Sequence, residues 1–304
     1  MTDDAQGDSI ASAVLPNLAD HGVDLGVRPF VFRHGLGDDP RFSNEQLADV
    51  VHRLPCSWVL AHEAQHSPHE RRGKDALPPD TDLGQVVRDL PTSGVSIRAY
   101  NLEHTAAFRP LRAEIESAVR DLVGTREGGL VEVNLAAFIA SAGAVTAAHP
   151  DRHHNLLLQA SGTKEVWIDD DPDRRRHHSR TLDYFRFPHL GAPELPPARA
   201  YVLEPGDGVY IPPYAWHWTR VVGESAAGFS VGFSTPSTVR NARVVAVDMK
   251  LRRLGVRPRP LAASESLTGR VKAGLQPVAA VVDRVRRPPG RSLVVSGDVE
   301  EVSR

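Results

Sequence analysis

The chain has 304 residues, 41% of them apolar and 24% charged, with a formal net charge of −2. Those proportions suit a folded globular chain and exclude a disordered, coiled-coil or collagen-like protein. The near-neutral charge gives no global attraction to nucleic acid or to an anionic membrane, and the single cysteine, Cys56, excludes an internal disulfide framework and suits a reducing cytoplasm. Residues 1–26 read as a polar, mobile tail, and its acidic start, MTDDAQGDS, lacks the positive charge and apolar run of a signal peptide. Arg28 to Arg33 alternates as a first strand. Ser43 stands where it can cap a helix carrying Leu47, Val50, Val51 and Leu54 at helical spacing. Residues 64–80 form a polar loop, 83–90 a short helix and 95–100 a strand. Leu111, Ile115, Val119 and Leu122 fall on one face of a helix over 106–122. Residues 27–129 together read as an N-terminal α/β elaboration.

From 130 to 237 the pattern changes to short strands punctuated by glycine and proline. Strands are predicted at 130–139, 144–148, 153–160, 164–168, 199–203, 208–211, 215–221 and 227–233, which suggests a β-sandwich or barrel such as the jelly roll. The uncharged run from Val133 to Ala148 falls short of the ~20 residues of a spanning helix. It reads as two buried strands joined at Ala140 to Gly143, so no membrane association is expected. Residues 169–197 form an insertion with a short helix near Leu182 to Phe185. Residues 238–290 read as a basic helical extension and 291–304 as a frayed tail. Cys56 is expected to be a small buried hydrophobe.

The chemistry concentrates in two runs, TAAHPDRHHNLLLQASGTK over 146–164 and GDGVYIPPYAWHW over 206–218. His149 and Asp151 are two apart, so an extended backbone points both to one face. A later histidine, His217, at the end of another strand completes a set of two histidines and one carboxylate. Such a triad leaves adjacent positions open on Fe(II), whereas a structural zinc site would normally be closed by cysteines, and none is nearby. H-x-D alone is common, and its bland reading is a hydrogen-bonded pair at a strand end. The ordered context adds weight: Asn155 and Gln159 share one parity, Gly162-x-Lys164 follows, and Pro212-Pro213 precedes His217. Lys164 follows an apolar run, where a charge needs a partner, and an anionic co-substrate would supply one. His153 and His154 read as loop or supporting groups, with Arg152 either at the mouth or solvated. His177 and His178 read as solvent-facing, and Trp216 and Trp218 as packing groups. No phosphate-binding glycine loop or Ser-His-Asp motif is present in the sequence.

Over roughly residues 94–235 the chain resembles the JmjC and cupin-like oxygenases that use Fe(II) and 2-oxoglutarate, especially the asparaginyl-hydroxylase branch. The run V-T-x-A-H-x-D, then Asn, Gln and G-x-K, carries the likeness. The resemblance implies a mainly β fold with helical additions, a double-stranded β-helix (jelly roll) core over 130–237. It implies that His149, Asp151 and His217 are iron ligands and the catalytic centre. It further implies that Lys164, helped by Thr146, holds the distal carboxylate of 2-oxoglutarate, with Asn155 as a supporting or co-substrate contact. Dioxygen would be the oxidant, succinate and CO2 the by-products, and an unactivated C–H bond of a peptide side chain or small molecule the target. Demethylation is the alternative outcome if the carbon lies on an N-methyl group. Gly232, where some relatives have a polar contact, and Pro150 depart from the pattern. The competing reading is a non-catalytic cupin-like ligand-binding or regulatory domain. The expected setting is cytoplasmic, without nucleic acid, and with a homodimer formed through an apolar stripe from Leu267 to Val282.

Overall fold

A computed structural model describes residues 14–69, 76–171, 177–187, 192, 194–256 and 258. The strands are β1 (Phe30–Arg33), β2 (Val59–Glu63), β3 (Val95–Ala99), β4 (Glu132–Ser141), β5 (Val145–Pro150), β6 (His154–Ile168), β7 (Arg199–Leu203), β8 (Asp207–Ile211) and β9 (Trp216–Ser234). The helices are α1 (Asn44–Arg53), α2 (Leu83–Arg88), α3 (Leu90–Ser93), α4 (Arg109–Val123), α5 (His178–Arg186) and α6 (Pro236–Arg253). β6 and β9 pair antiparallel along their whole length and form a long ribbon. The first half of β6 continues to β8 and β1, and the second half of β9 to β4, β3 and β2. The remaining halves are flanked by β7 and β5. One bent ribbon therefore serves two sheets, which is a double-stranded β-helix.

The sequence pattern divides each of these long strands in two, because Gly162 and Gly223 read as breaks. The structure bends β6 instead, with register shifts on either side of Ser161. Gly162 sits at φ 66° at that bend, and a Cβ there would stand 2.1 Å from the Ser225 carbonyl oxygen, so only glycine fits.

Side-chain alternation then separates core from interior. Ile97 of β3, Leu135 of β4, Leu158 of β6 and Phe229 of β9 share one apolar cluster with Leu47 and Val51 of α1 and Leu111, Ile115, Val119 and Leu122 of α4. Burying each such aliphatic side chain contributes about 1.5–3 kcal/mol. The opposite parity of the same strands — Arg98, Phe138, Asn155, Gln159, Gly228 and Ser230 — faces the inside of the barrel. Ser43 does cap α1, its hydroxyl accepting from the Gln46 amide. Helix α4 begins at Arg109 rather than 106, with Pro110 in its first turn.

Several expectations are corrected. The predicted tail is not all tail: Val14, Leu15, Leu18 and Leu25 are buried in the main core, and Leu18–Asp24 is a 3-10 helix. Strand β2, unread in the sequence, forms the edge beside β3. Cys56 is exposed, because its short 3-10 turn at Cys56–Trp58 buries none of its residues. The stripe from Leu267 to Val282, and with it the expected dimer contact, lies outside the described residues. Among the described residues no helix is long and apolar enough to cross a membrane.

Candidate active site

Strands β5 and β9 set His149 directly opposite His217, and their ring centroids are 4.2 Å apart. Asp151 follows β5 immediately. Its carbonyl accepts the Tyr214 amide at 2.7 Å, which ties the end of β5 to the turn before β9. Its carboxylate reaches both rings, at 3.9 Å from His149 Nε2 and 3.6 Å from His217 Nε2. Ligand atoms of the three residues all lie within 4.8 Å of one another.

The tautomers follow from local bonding. His149 Nδ1 lies 2.8 Å from the Ala147 carbonyl and His217 Nδ1 lies 3.0 Å from the Ala215 carbonyl. A carbonyl only accepts, so each Nδ1 carries a proton, and Nε2 is the nitrogen that faces Asp151 and can serve as a metal ligand. The donor set of two imidazoles and a carboxylate, with no thiolate, suits Fe(II). Each carbonyl holds its ring's orientation as supporting groups do at metal sites.

Asn155 links this centre to the sheet. Its Nδ2 lies 3.4 Å from Asp151 Oδ2, and its Oδ1 accepts from Ser230 Oγ at 2.8 Å. The serine thereby fixes which end of the amide faces Asp151. Ser230 was not singled out in the sequence; only its cross-strand placement gives it meaning. Gly232 is the departure noted above. A Cβ there would stand 3.0 Å from His153 Nε2, so the glycine makes room for the His153 ring.

Lys164 is 3% exposed and lies between Leu203 of β7 and Val221 of β9. Burial first, and then the Arg98 charge, pull its ammonium down to about 8. No carboxylate pairs with it among the described residues. Its Nζ lies 3.5 Å from where a Cβ on Gly228 would be, so that glycine leaves space at the amine. Thr146 sits half-buried on β5 opposite Thr219, without a hydrogen bond to Lys164. Arg98, 3% exposed and stacked 5.6 Å from the Phe138 ring centre, went unread in the sequence because one arginine in a short strand looks solvated.

The other histidines take structural places. His154 is fully buried, with Nδ1 2.6 Å from the Tyr210 hydroxyl and Nε2 3.7 Å from Glu127. His177 and His178, expected to face solvent, do not: His178 is buried 3.2 Å from Asp248 of α6, and His177 lies 3.4 Å from Asp169. The insertion is thus anchored to α6 and to the end of β6. Trp216 is buried and donates to Thr181 Oγ1 at 3.3 Å, and Trp218 stacks on Trp167 with centroids 6.0 Å apart. Arg152 lies over the Phe185 ring of α5 at 4.3 Å, which sets that helix beside the metal-facing residues.

Residues 109–241 match the JmjC domain family. A Drosophila melanogaster protein named Jumonji C domain-containing protein 5 is 30% identical over 112 residues, 33% of this chain and 27% of that protein. An Arabidopsis thaliana protein named lysine-specific demethylase JMJ30 is 32% identical over 104 residues, 31% of this chain and 24% of that protein. The chain thus spans about a quarter of each of these relatives. Among solved structures, the Escherichia coli ribosomal oxygenase YcfD aligns over 92% of this chain and 70% of its own, at 17% identity and a TM-score of 0.47. Its complex with cobalt and 2-oxoglutarate aligns over 90% and 68%, at 20% identity and a TM-score of 0.47.

Proposed function

We propose that this chain, whose residues 109–241 match the JmjC domain family, is an Fe(II)- and 2-oxoglutarate-dependent oxygenase that hydroxylates an unactivated C–H bond of a peptide side chain or small molecule. The observation that carries the reading is the convergence of His149 Nε2, His217 Nε2 and the Asp151 carboxylate, each imidazole turned inward by its Nδ1 proton.

His149, Asp151 and His217 would hold the iron. Iron held there would supply oxidising chemistry, with dioxygen and 2-oxoglutarate as co-reactants and succinate and CO2 as by-products. The chain's own residues supply placement. Ser230 and Asn155 hold the Asp151 carboxylate, and the backbone carbonyls of Ala147 and Ala215 aim the imidazoles. Lys164 donates to the distal carboxylate from a dry pocket, where a charge-assisted hydrogen bond is strong. The carboxylate in turn gives the buried ammonium its missing partner and keeps it protonated. Burial of both histidines limits water at the centre. Attack on an N-methyl carbon would use the same machinery and give demethylation.

The test is succinate release from 2-oxoglutarate in air by the purified chain, measured with and without added Fe(II). Iron-dependent succinate from the wild type, absent in Asp151→Ala, is the expected result. Iron-loaded wild type that releases no succinate, with or without candidate substrates, would reject an oxygenase role.

A further inference from the structure

We propose that Arg98 is the second cation of the co-substrate pocket and makes the site selective for a 2-oxo acid with a distal carboxylate. This rests on the assignment of Lys164 above.

Four strands bring Arg98 there. Arg98 pairs with Phe138 between β3 and β4, Phe138 with Gly228 between β4 and β9, and Gly228 with Gln159 between β9 and β6. These residues form one row across the sheet. Their neighbours in sequence, Ile97, Ile139, Phe229 and Leu158, belong to the helix-facing core, so the row lines the barrel interior. The guanidinium stands 5.6 Å from the centre of the Phe138 ring, the next member of the row.

The row is open at its centre. A Cβ on Gly228 would lie 3.4 Å from Gln159 Oε1 and 3.5 Å from Lys164 Nζ, so glycine keeps free the space that both atoms border. Gln159 Nε2 donates to the carbonyls of Ser161 and Gly162, which turns Oε1 the other way. The Arg98 charge is felt at Lys164, and two like charges repel strongly in a low-dielectric interior. A carboxylate between them removes that repulsion and gives the ammonium an anion. The two cations are not redundant: the lysine is a point charge, whereas the arginine presents a planar fork that a carboxylate matches. The row also lies further along β6 and β9 than the Asn155–Gly232 pair beside Asp151, leaving the metal-facing end for the keto acid group.

Calorimetric titration of the full-length, Mn(II)-loaded chain under argon tests this. The ligands are 2-oxoglutarate and 2-oxovalerate, the five-carbon acid without the distal carboxylate. Arg98→Met should weaken 2-oxoglutarate binding by about tenfold or more, as loss of a charge-assisted hydrogen bond does, and leave 2-oxovalerate binding unchanged. Wild-type 2-oxoglutarate affinity in Arg98→Met, or equal weakening of both acids, overturns the role of Arg98. Should Arg98→Met not fold, Arg98→Lys decides: charge kept with the fork lost predicts 2-oxoglutarate affinity between those of wild type and Lys164→Met. Full wild-type affinity in Arg98→Lys would then overturn the proposal. Lys164→Met separates this from the parent reading. If the wild type prefers 2-oxoglutarate and Lys164→Met loses that preference, the co-substrate pocket stands whatever Arg98 does. A wild type with no preference between the acids removes the pocket and Arg98's role in it.

Discussion

The side chains that matter most here act by restricting one another. The Asp151 carboxylate is positioned through the Ser230–Asn155–Asp151 chain. Supporting bonds of this kind typically change metal affinity by about 10–100-fold. Asn155→Ala is therefore expected to weaken Mn(II) binding by roughly tenfold while circular dichroism stays as in the wild type. Unaltered Mn(II) affinity in that variant would mean that Asn155 does not position Asp151. His149 and Asp151 were legible in the sequence because a spacing of two on extended chain puts both on one face. His217 was legible because a proline pair and flanking aromatics mark the start of its strand. Ser230 and Arg98 were not, since nothing local distinguishes them; their neighbours come from β6 and β4, far away in sequence.

Among the elements, β1 and β8 are joined by a histidine that cannot accept a second proton without loss. His34 Nδ1 accepts the Leu36 amide at 3.1 Å, so Nε2 is the protonated nitrogen facing the Asp207 carbonyl at 3.0 Å. Burial, and then the neighbouring Arg33 charge, lower His34 to about 4. In the unfolded chain it would titrate near 6.5. Between pH 6.5 and about 4 the unfolded chain takes up a proton that the folded chain refuses, so stability falls as pH falls through that window. At about 1.4 kcal/mol per pH unit the loss is about 3 kcal/mol at most. His34→Asn, which keeps an acceptor but does not titrate, should flatten the pH dependence of chemical unfolding across this window. A slope equal to that of the wild type would show that His34 is not its source. Helices α1 and α4 were readable because both carry apolar residues at helical spacing, and Ser43 marks the start of α1. The long strands β6 and β9 were divided in the sequence reading because glycine marks a bend and a break with the same letter. β2 was missed because an edge strand with half-exposed residues carries little alternation.

At the scale of the whole molecule, helices cover the outer face of the larger sheet while the ribbon of β6 and β9 carries polar side chains into the barrel. The segment from Val14 to Leu25 closes part of that core, although it continues from the polar start of the chain and reads with it as a tail. The same ribbon carries His217 and Ser230 on one strand and Asn155 and Lys164 on the other, so the metal-facing and anion-facing ends are built on one rigid body. On the proposed function, one barrel interior would hold Fe(II) at one end and a 2-oxo dicarboxylate at the other. Anaerobic titration of 2-oxoglutarate into the Fe(II)-loaded chain, followed by visible absorption, tests it most directly. The account predicts a weak charge-transfer band that saturates at one equivalent and is missing when His217→Ala is treated the same way. Wild-type chain that binds Fe(II) and develops no such band at saturating 2-oxoglutarate would contradict it.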